Sequence, residues 1–459
     1  MKQKNRKNQQ YSTMDRRKFL KSSVAAAGAL ALTGSHSLLN AKERRTEGNV
    51  PRNRVGCDDR LVGTEWSGWK KGHLQVHFIY TGVCESAFYI FPDGTTMLLD
   101  CGDHNAIGRG ELAVPVLPHS GRHAGEWIAR YVTRVNPNGV DVDYAMLSHY
   151  HNDHAGCKEF YAAREVRDGK EHVLSGFTQA AETLRFHKAI DRSWPDFADP
   201  LPMRDDFDAG AVGLIKQFYD YESLHHGMVV ERFRLGATDQ IVPVHDVRAC
   251  KDFTVRNISA NGRICAEDGT ITDLYADRIR EEHLSKVNEN GMSLGIVIAY
   301  GPFRFYSAGD FSDSWKKADG TTFRIEDAMA TVCGRADVAK VNHHGHYSMT
   351  PQLLQALRSQ VYISCVWDQL HNVDPVMTTL TDRTLYPGDR MVCPGILPSQ
   401  RRAEDEGKAW MDDVSIASYE GSHIVLDVEP GGKRFTITHL SAADESMLIK
   451  CVRHYTSGA

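Results

Sequence analysis

Apolar and polar side chains alternate along LQVHFIYTG, Leu74 to Gly82, with the period of two expected of a strand that buries one face. AFYIFPDGTTMLL predicts a strand over Ala87 to Phe91, a Pro92-Asp93-Gly94 turn, and a return strand over Thr95 to Leu99 that delivers Asp100 at its end. From Ala124 to Asn136 the apolar spacing becomes helical, and Pro137-Asn138-Gly139 stops it. VDYAMLS, Val142 to Ser148, then reads as a buried strand. Between about 160 and 290 the pattern is mixed, with helical spacing in QAAETLRFHKAI and a Pro/Asp-rich loop in DRSWPDFADPLP. That stretch is expected to be an insertion within one domain. Clear strands return at Leu294 to Tyr300 and Phe303 to Ser307, joined by Gly301-Pro302 and leading to Asp310. DVAKVNHHGHYSMTPQLLQALRSQVYISCVW follows as a strand, a histidine cluster, a helix opening at Thr350-Pro351, and another strand. HIVLDVEPGGKRFTITHL is a hairpin through Pro430-Gly431-Gly432. Strands with intervening helices, and polar residues at strand ends, predict a layered α/β protein with its site along one rim.

Composition supports this picture: 459 residues, 41% hydrophobic and 9% aromatic, suffice for a large buried core. Ten cysteines without a CxxC pair fit neither a disulfide framework nor a structural zinc knuckle. Most are expected in the core, with room for one or two disulfides in an oxidising compartment.

The N-terminus reads as an address. Arg16-Arg17-Lys18-Phe19-Leu20-Lys21 precedes a short apolar run from Val24 to Leu32, too brief to span a bilayer of ~30 Å. It resembles a twin-arginine (Tat) signal peptide, which implies export of the folded chain by the Tat machinery to the periplasm or beyond, with cleavage near Ala41. Residues 1–41 are thus expected to be the signal, 42–71 a polar, Arg-rich linker or arm, and 72–459 one large domain with no stable membrane span. Without the eight Lys/Arg and one Asp of the signal, 46 basic and 58 acidic residues remain, a net charge of −12. Such a surface repels polyanions, so nucleic acid would need a local basic patch that the sequence does not advertise.

The chemistry concentrates in MLSHYHNDHAG, Met146 to Gly156. Residues two apart on extended chain point the same way, so His149 and His151 can bind one cation from one side. Asp153 and His154, a turn later, are placed for a second. Imidazole and carboxylate suit zinc, and also manganese or iron. A solvated loop seldom gathers four such side chains in six positions. Asp310, after its strand, can bridge two cations, although Gly-Asp is also turn chemistry. His344 in NHHGH is the preferred late ligand, with His343 and His346 as alternatives. Asp100 can ligate or can accept a hydrogen bond from a ligating imidazole. His371 is an ordinary loop histidine or a residue lining the site.

With LLDCG before it, and SAGD and HHG after it, HYHNDH resembles the metallo-β-lactamase superfamily. VHFIYTGVCESAFYIFPDGTTMLLDCGD, SLGIVIAYGPFRFYSAGD and ADVAKVNHHG are similar to the soluble hydrolase domain of ComEC-type proteins. The resemblance implies an αββα sandwich and a dinuclear site: His149 and His151 on one metal, Asp153 and His154 on the other, Asp310 bridging, His344 the late ligand. It also implies a phosphodiester substrate, which a metal-bound hydroxide would attack; Asp153 is expected among the catalytic residues, and His343, His346 or a bound water could protonate the leaving group. A lactone, thioester or β-lactam is the alternative substrate, and a non-catalytic binding protein the third reading. Tyr80, Thr81, Val83, Cys84 and Glu85 replace much of the family's Asp-Val-Gly-Gln-Gly-Asp. A further ligand common in the superfamily is left open among His172, His187, His225, His226, His245 and His283.

Overall fold

A computed structural model describes residues 57–458 except 105–106, 159–161, 203–208 and 281–286. The expected signal over residues 1–41, residues 42–56 and His283 lie outside the described residues.

Two sheets face each other. Across the first run β21 (Ile449–Thr456), β20 (Arg434–Ser441), β19 (Ser422–Val428), β1 (Leu74–Phe78), β2 (Ala87–Ile90), β3 (Thr96–Leu99), β4 (Asp141–Met146), β7 (Arg185–Asp191) and β8 (Val229–Arg232). Across the second run β11 (Ile271–Asp273), β10 (Arg263–Cys265), β9 (Phe253–Ala260), β12 (Gly295–Tyr300), β13 (Phe303–Ser307), β16 (Val338–Lys340), β17 (Val361–Ser364) and β18 (Met391–Pro394). Two small hairpins, β5–β6 (Ala163–Arg167 and Lys170–Leu174) and β14–β15 (Ser314–Lys316 and Thr322–Arg324), stand apart.

Every second residue of the central strands enters the space between the sheets. Leu74, Val76 and Phe78 of β1 meet Ile296, Ile298, Phe303 and Phe305 there. Burying each such side chain is worth about 1.5–3 kcal/mol. Helices Ala124–Val135, Phe177–Ala180 and Ala209–His226 cover the outer face of the first sheet. Helices Ile325–Met329, Pro351–Leu357 and Asp374–Thr381 cover that of the second. The layers are therefore αββα.

Three expectations change. β1 is buried on both faces, because its polar residues find partners: Gln75 pairs with Asp427, and His77 Nδ1 lies 3.0 Å from the Tyr131 hydroxyl. Gln179 to Ile190, despite its helical spacing, holds only the end of the one-turn helix Phe177–Ala180 and then enters β7, since parallel pairing with β4 outweighs local propensity. The stretch 160–290 is not a mere insertion: it supplies β7 and β8 to one sheet and β9, β10 and β11 to the other.

The arm before β1 is laid along the last strand. Asp58 N–H donates to Val452 O at 2.8 Å and Gly63 N–H to Ile449 O at 2.8 Å, while a disulfide joins Cys57 to Cys451. The other cysteines are thiols, all but Cys365 fully buried. Among the described residues no helix is long and apolar enough to cross a membrane.

Candidate metal centre

β3 and β4 run parallel, as do β13, β16 and β17, and every candidate residue follows the carboxyl end of one of these strands. Asp100 follows β3, Ser148 to His154 follow β4, Asp310 follows β13, the NHHGH turn follows β16, and Trp367 to His371 follow β17. Polar side chains can gather there because backbone hydrogen bonding has ended and the two sheets converge. Gly102 lets the loops close: a Cβ on it would lie 1.8 Å from the Asp153 carbonyl oxygen, so no side chain fits between the β3 end and the ligand loop.

Asp100 organises the first cluster. Its Oδ1 accepts the Ser148 N–H at 2.7 Å, and its Oδ2 accepts the Ser148 hydroxyl at 2.7 Å. The same Oδ2 lies 2.8 Å from His154 Nδ1. His154 Nδ1 must therefore carry the proton, which leaves Nε2 to face inward. The Ser148 hydroxyl, having given its proton to Asp100, accepts from His149 Nδ1 at 3.0 Å, so His149 Nε2 is also a lone pair. His344 Nδ1 donates to the Cys365 carbonyl at 2.7 Å, with the same consequence.

These three imidazoles converge on Asp310. Its Oδ2 lies 3.2 Å from His344 Nε2, 3.3 Å from His154 Nε2 and 3.9 Å from His149 Nε2. Asp153 Oδ2 closes the other side, 3.0 Å from His344 Nε2 and 3.4 Å from His154 Nε2. His151 Nδ1 faces His149 Nε2 at 3.0 Å. His154 Nε2 is buried and makes no hydrogen bond. A buried nitrogen between two carboxylates, anchored from behind, fits a divalent cation better than a neutral core.

Electrostatics agree. Burial opposes charge on His154, yet the carboxylates of Asp310, Asp153 and Asp100 hold its pKa well above the ordinary value. Burial likewise opposes ionisation of Asp310, but His344 and His154 keep its carboxyl well below the usual range. His149 is pushed far down by burial and by His154 and His151. The cluster thus has the charge balance of a cation site, with protons on imidazoles standing where a metal would be.

Sequence reasoning missed two participants here. Glu85, His154, Asp310 and His344 offer donor atoms within 4.8 Å of one another. Glu85 is also paired with the buried ammonium of Lys340 at 2.8 Å, and Lys340 lies 3.5 Å from Asp310 Oδ1. Burial disfavours the charge on Lys340, and Glu85 and Asp310 outweigh that, so Lys340 stays cationic. The replaced segment TGVCES carried the only signal for Glu85; Lys340 gave none.

A cavity of about 250 Å³ opens above Asp153 and Asp310. His151, His343, His346, Trp367, Asp368 and His371 stand in its wall. His371, buried, stacks on His344 with ring centroids 4.6 Å apart. His343 is held at both nitrogens, by Ser312 Oγ at 3.0 Å and Asn290 Nδ2 at 3.2 Å. Burial brings its pKa down to about 4. His346, like His343, is half-buried. The open candidates for a further ligand are engaged elsewhere: His187 with Asp141, His225 with Asp168, His226 with Glu222, His245 with Asp143, and His172 against Tyr221.

Comparison with curated proteins finds no match. Residues 81–164, from the loop after β1 through the HYHNDH motif, match the family model of the metallo-beta-lactamase superfamily, and the αββα layers built around them are the fold that superfamily shares.

Proposed function

We propose that this protein is an exported, metal-dependent hydrolase that cleaves a phosphodiester at the carboxyl-end rim of its two sheets. One observation carries the reading: His149, His154 and His344 each have Nδ1 fixed from behind, by Ser148, Asp100 and Cys365 O, so that three Nε2 atoms aim at Asp310. Asp153, His154, Asp310 and His344 would hold one cation, and His149, His151 and Asp310 a second. Zinc suits this donor set best, with manganese or iron as alternatives. When bound, such ions act as Lewis acids and lower the pKa of water towards ~7.

The chain's own residues would do the rest. Asp100 and Ser148 keep the imidazoles in the ligating tautomer. Lys340 offsets the negative charge of Glu85 and Asp310. His346, half-buried in the wall, is better placed than the doubly held His343 to pass a proton to a leaving group. Trp367 and His371 narrow the cavity around the substrate. The acidic mature chain favours a small diester over long nucleic acid.

Acyl hydrolysis is the second reading, and one feature favours it. No Lys or Arg stands among the described residues in the cavity wall, whereas Asp368 does, an arrangement suited to an uncharged ester. A panel with added Zn2+ or Mn2+ decides: bis-nitrophenyl phosphate, a nucleotide diester, a lactone, a thioester and nitrocefin. Turnover of the diesters, lost in His151→Ala, is expected. Turnover confined to the acyl substrates would move the assignment to the second reading.

A further inference from the structure

Tyr150 sits between His149 and His151 in the chain, so whatever fixes Tyr150 fixes where both imidazoles point. Three groups hold it, and none of them is a candidate ligand. Its N–H donates to Glu289 Oε1 at 2.9 Å, and its hydroxyl donates to Asp191 Oδ1 at 2.7 Å. The guanidinium carbon of Arg192 lies 4.2 Å from its ring centroid. Glu289 is itself locked, because Arg192 donates through Nε to Oε1 at 2.9 Å and through Nη2 to Oε2 at 2.7 Å. Arg192 is anchored in turn by Asn261 Oδ1 and the Asp199 carbonyl, each at 2.9 Å. Glu289, Arg192, Asp191 and Tyr150 are all buried.

Burying an ion pair costs several kcal/mol per charge, and replacing it by apolar residues of similar size is often neutral or stabilising. Packing alone therefore does not require a glutamate here. A carboxylate does what an apolar side chain cannot: it accepts the backbone N–H of the residue that stands between two candidate ligands. Arg192, by gripping both oxygens, removes the freedom of Glu289 to rotate. The same turn reaches the other histidine cluster through Asn290, whose Nδ2 lies 3.2 Å from His343 Nε2.

We infer that Glu289, clamped by Arg192, is a positioning residue that sets the directions of His149 and His151 through the Tyr150 backbone. The inference rests on the metal-centre reading. Its test uses the full chain loaded with Co2+, whose visible absorption bands report ligand geometry, beside equilibrium dialysis and circular dichroism. Glu289→Gln keeps the shape but sets an amide N–H2 against Arg192, and the pair Arg192→Met with Glu289→Leu removes both charges of the clamp together. Both variants are expected to retain their circular dichroism spectra, shift the Co2+ bands and lose about 10- to 100-fold in affinity for one ion. Unchanged bands and affinity in either folded variant would overturn the inference. Wild-type protein that takes up no Co2+ would instead overturn the reading on which it rests.

Discussion

Glu326 lies beneath the second histidine cluster, and its replacement by glutamine should flatten the pH dependence of stability. The side chain is buried, with Oε1 accepting Asn342 Nδ2 at 2.8 Å and Met349 N–H at 2.9 Å, and Oε2 accepting Thr350 N–H at 3.2 Å. Those donors bracket the loop that carries His343 and His344. Burial raises the carboxyl to about 7 from 4.5, although the three hydrogen bonds pull the other way. Because the folded value exceeds the unfolded one, the protonated form is favoured in the native state. This contribution is fully present below pH 4.5 and is lost as pH rises through 7. A difference of 2.5 at 1.36 kcal/mol per unit gives about 3 kcal/mol. Glu326→Gln cannot ionise, so its stability should lack that fall, at a fixed cost of about 1 kcal/mol for the weakened Thr350 contact. Urea unfolding of both proteins at pH 5 and pH 8, in chelator, isolates the effect, since other titrating groups cancel between them. Equal falls in the two proteins would show that Glu326 is not the group that titrates.

Three further outcomes are expected. Asp100→Asn removes the charge that orients His154 and should weaken metal binding about 10- to 100-fold in equilibrium dialysis while leaving the fold intact by circular dichroism. Gly102→Ala places a Cβ against the Asp153 carbonyl, so the ligand loop must move; metal affinity should fall more than urea stability does. Phe305→Ala, between Phe78 and Tyr89 at ring distances of 6.2 Å each, should cost about 3–5 kcal/mol of unfolding free energy and leave bound metal unchanged.

Local patterns explain what the sequence reveals. Strand β1 follows from period-two alternation, β2 to β4, β12 and β13 from short apolar runs bounded by turn residues, and Asp100, the HYHNDH donors and Asp310 from sitting just past such strands. HYHNDH is legible because its donors lie within six positions. Partnerships across the chain are not legible: Glu85 with Lys340, Glu289 with Tyr150 and Arg192, and His344 with Cys365 O depend on which strand ends the fold brings together. β7 was hidden because its apolar residues also suit a helix, and only pairing with β4 decides. The burial of Gln75 and His77 depended on partners more than fifty residues away.

If the imidazoles converging on Asp310 hold a divalent cation, the purified protein must carry one. Purified chain, stripped with chelator and dialysed against Zn2+ at neutral pH, should retain at least one equivalent by elemental analysis. His154→Ala, folded by circular dichroism, should retain measurably less. Less than one equivalent in the wild type, or equal retention in both, would exclude a cation held by these imidazoles.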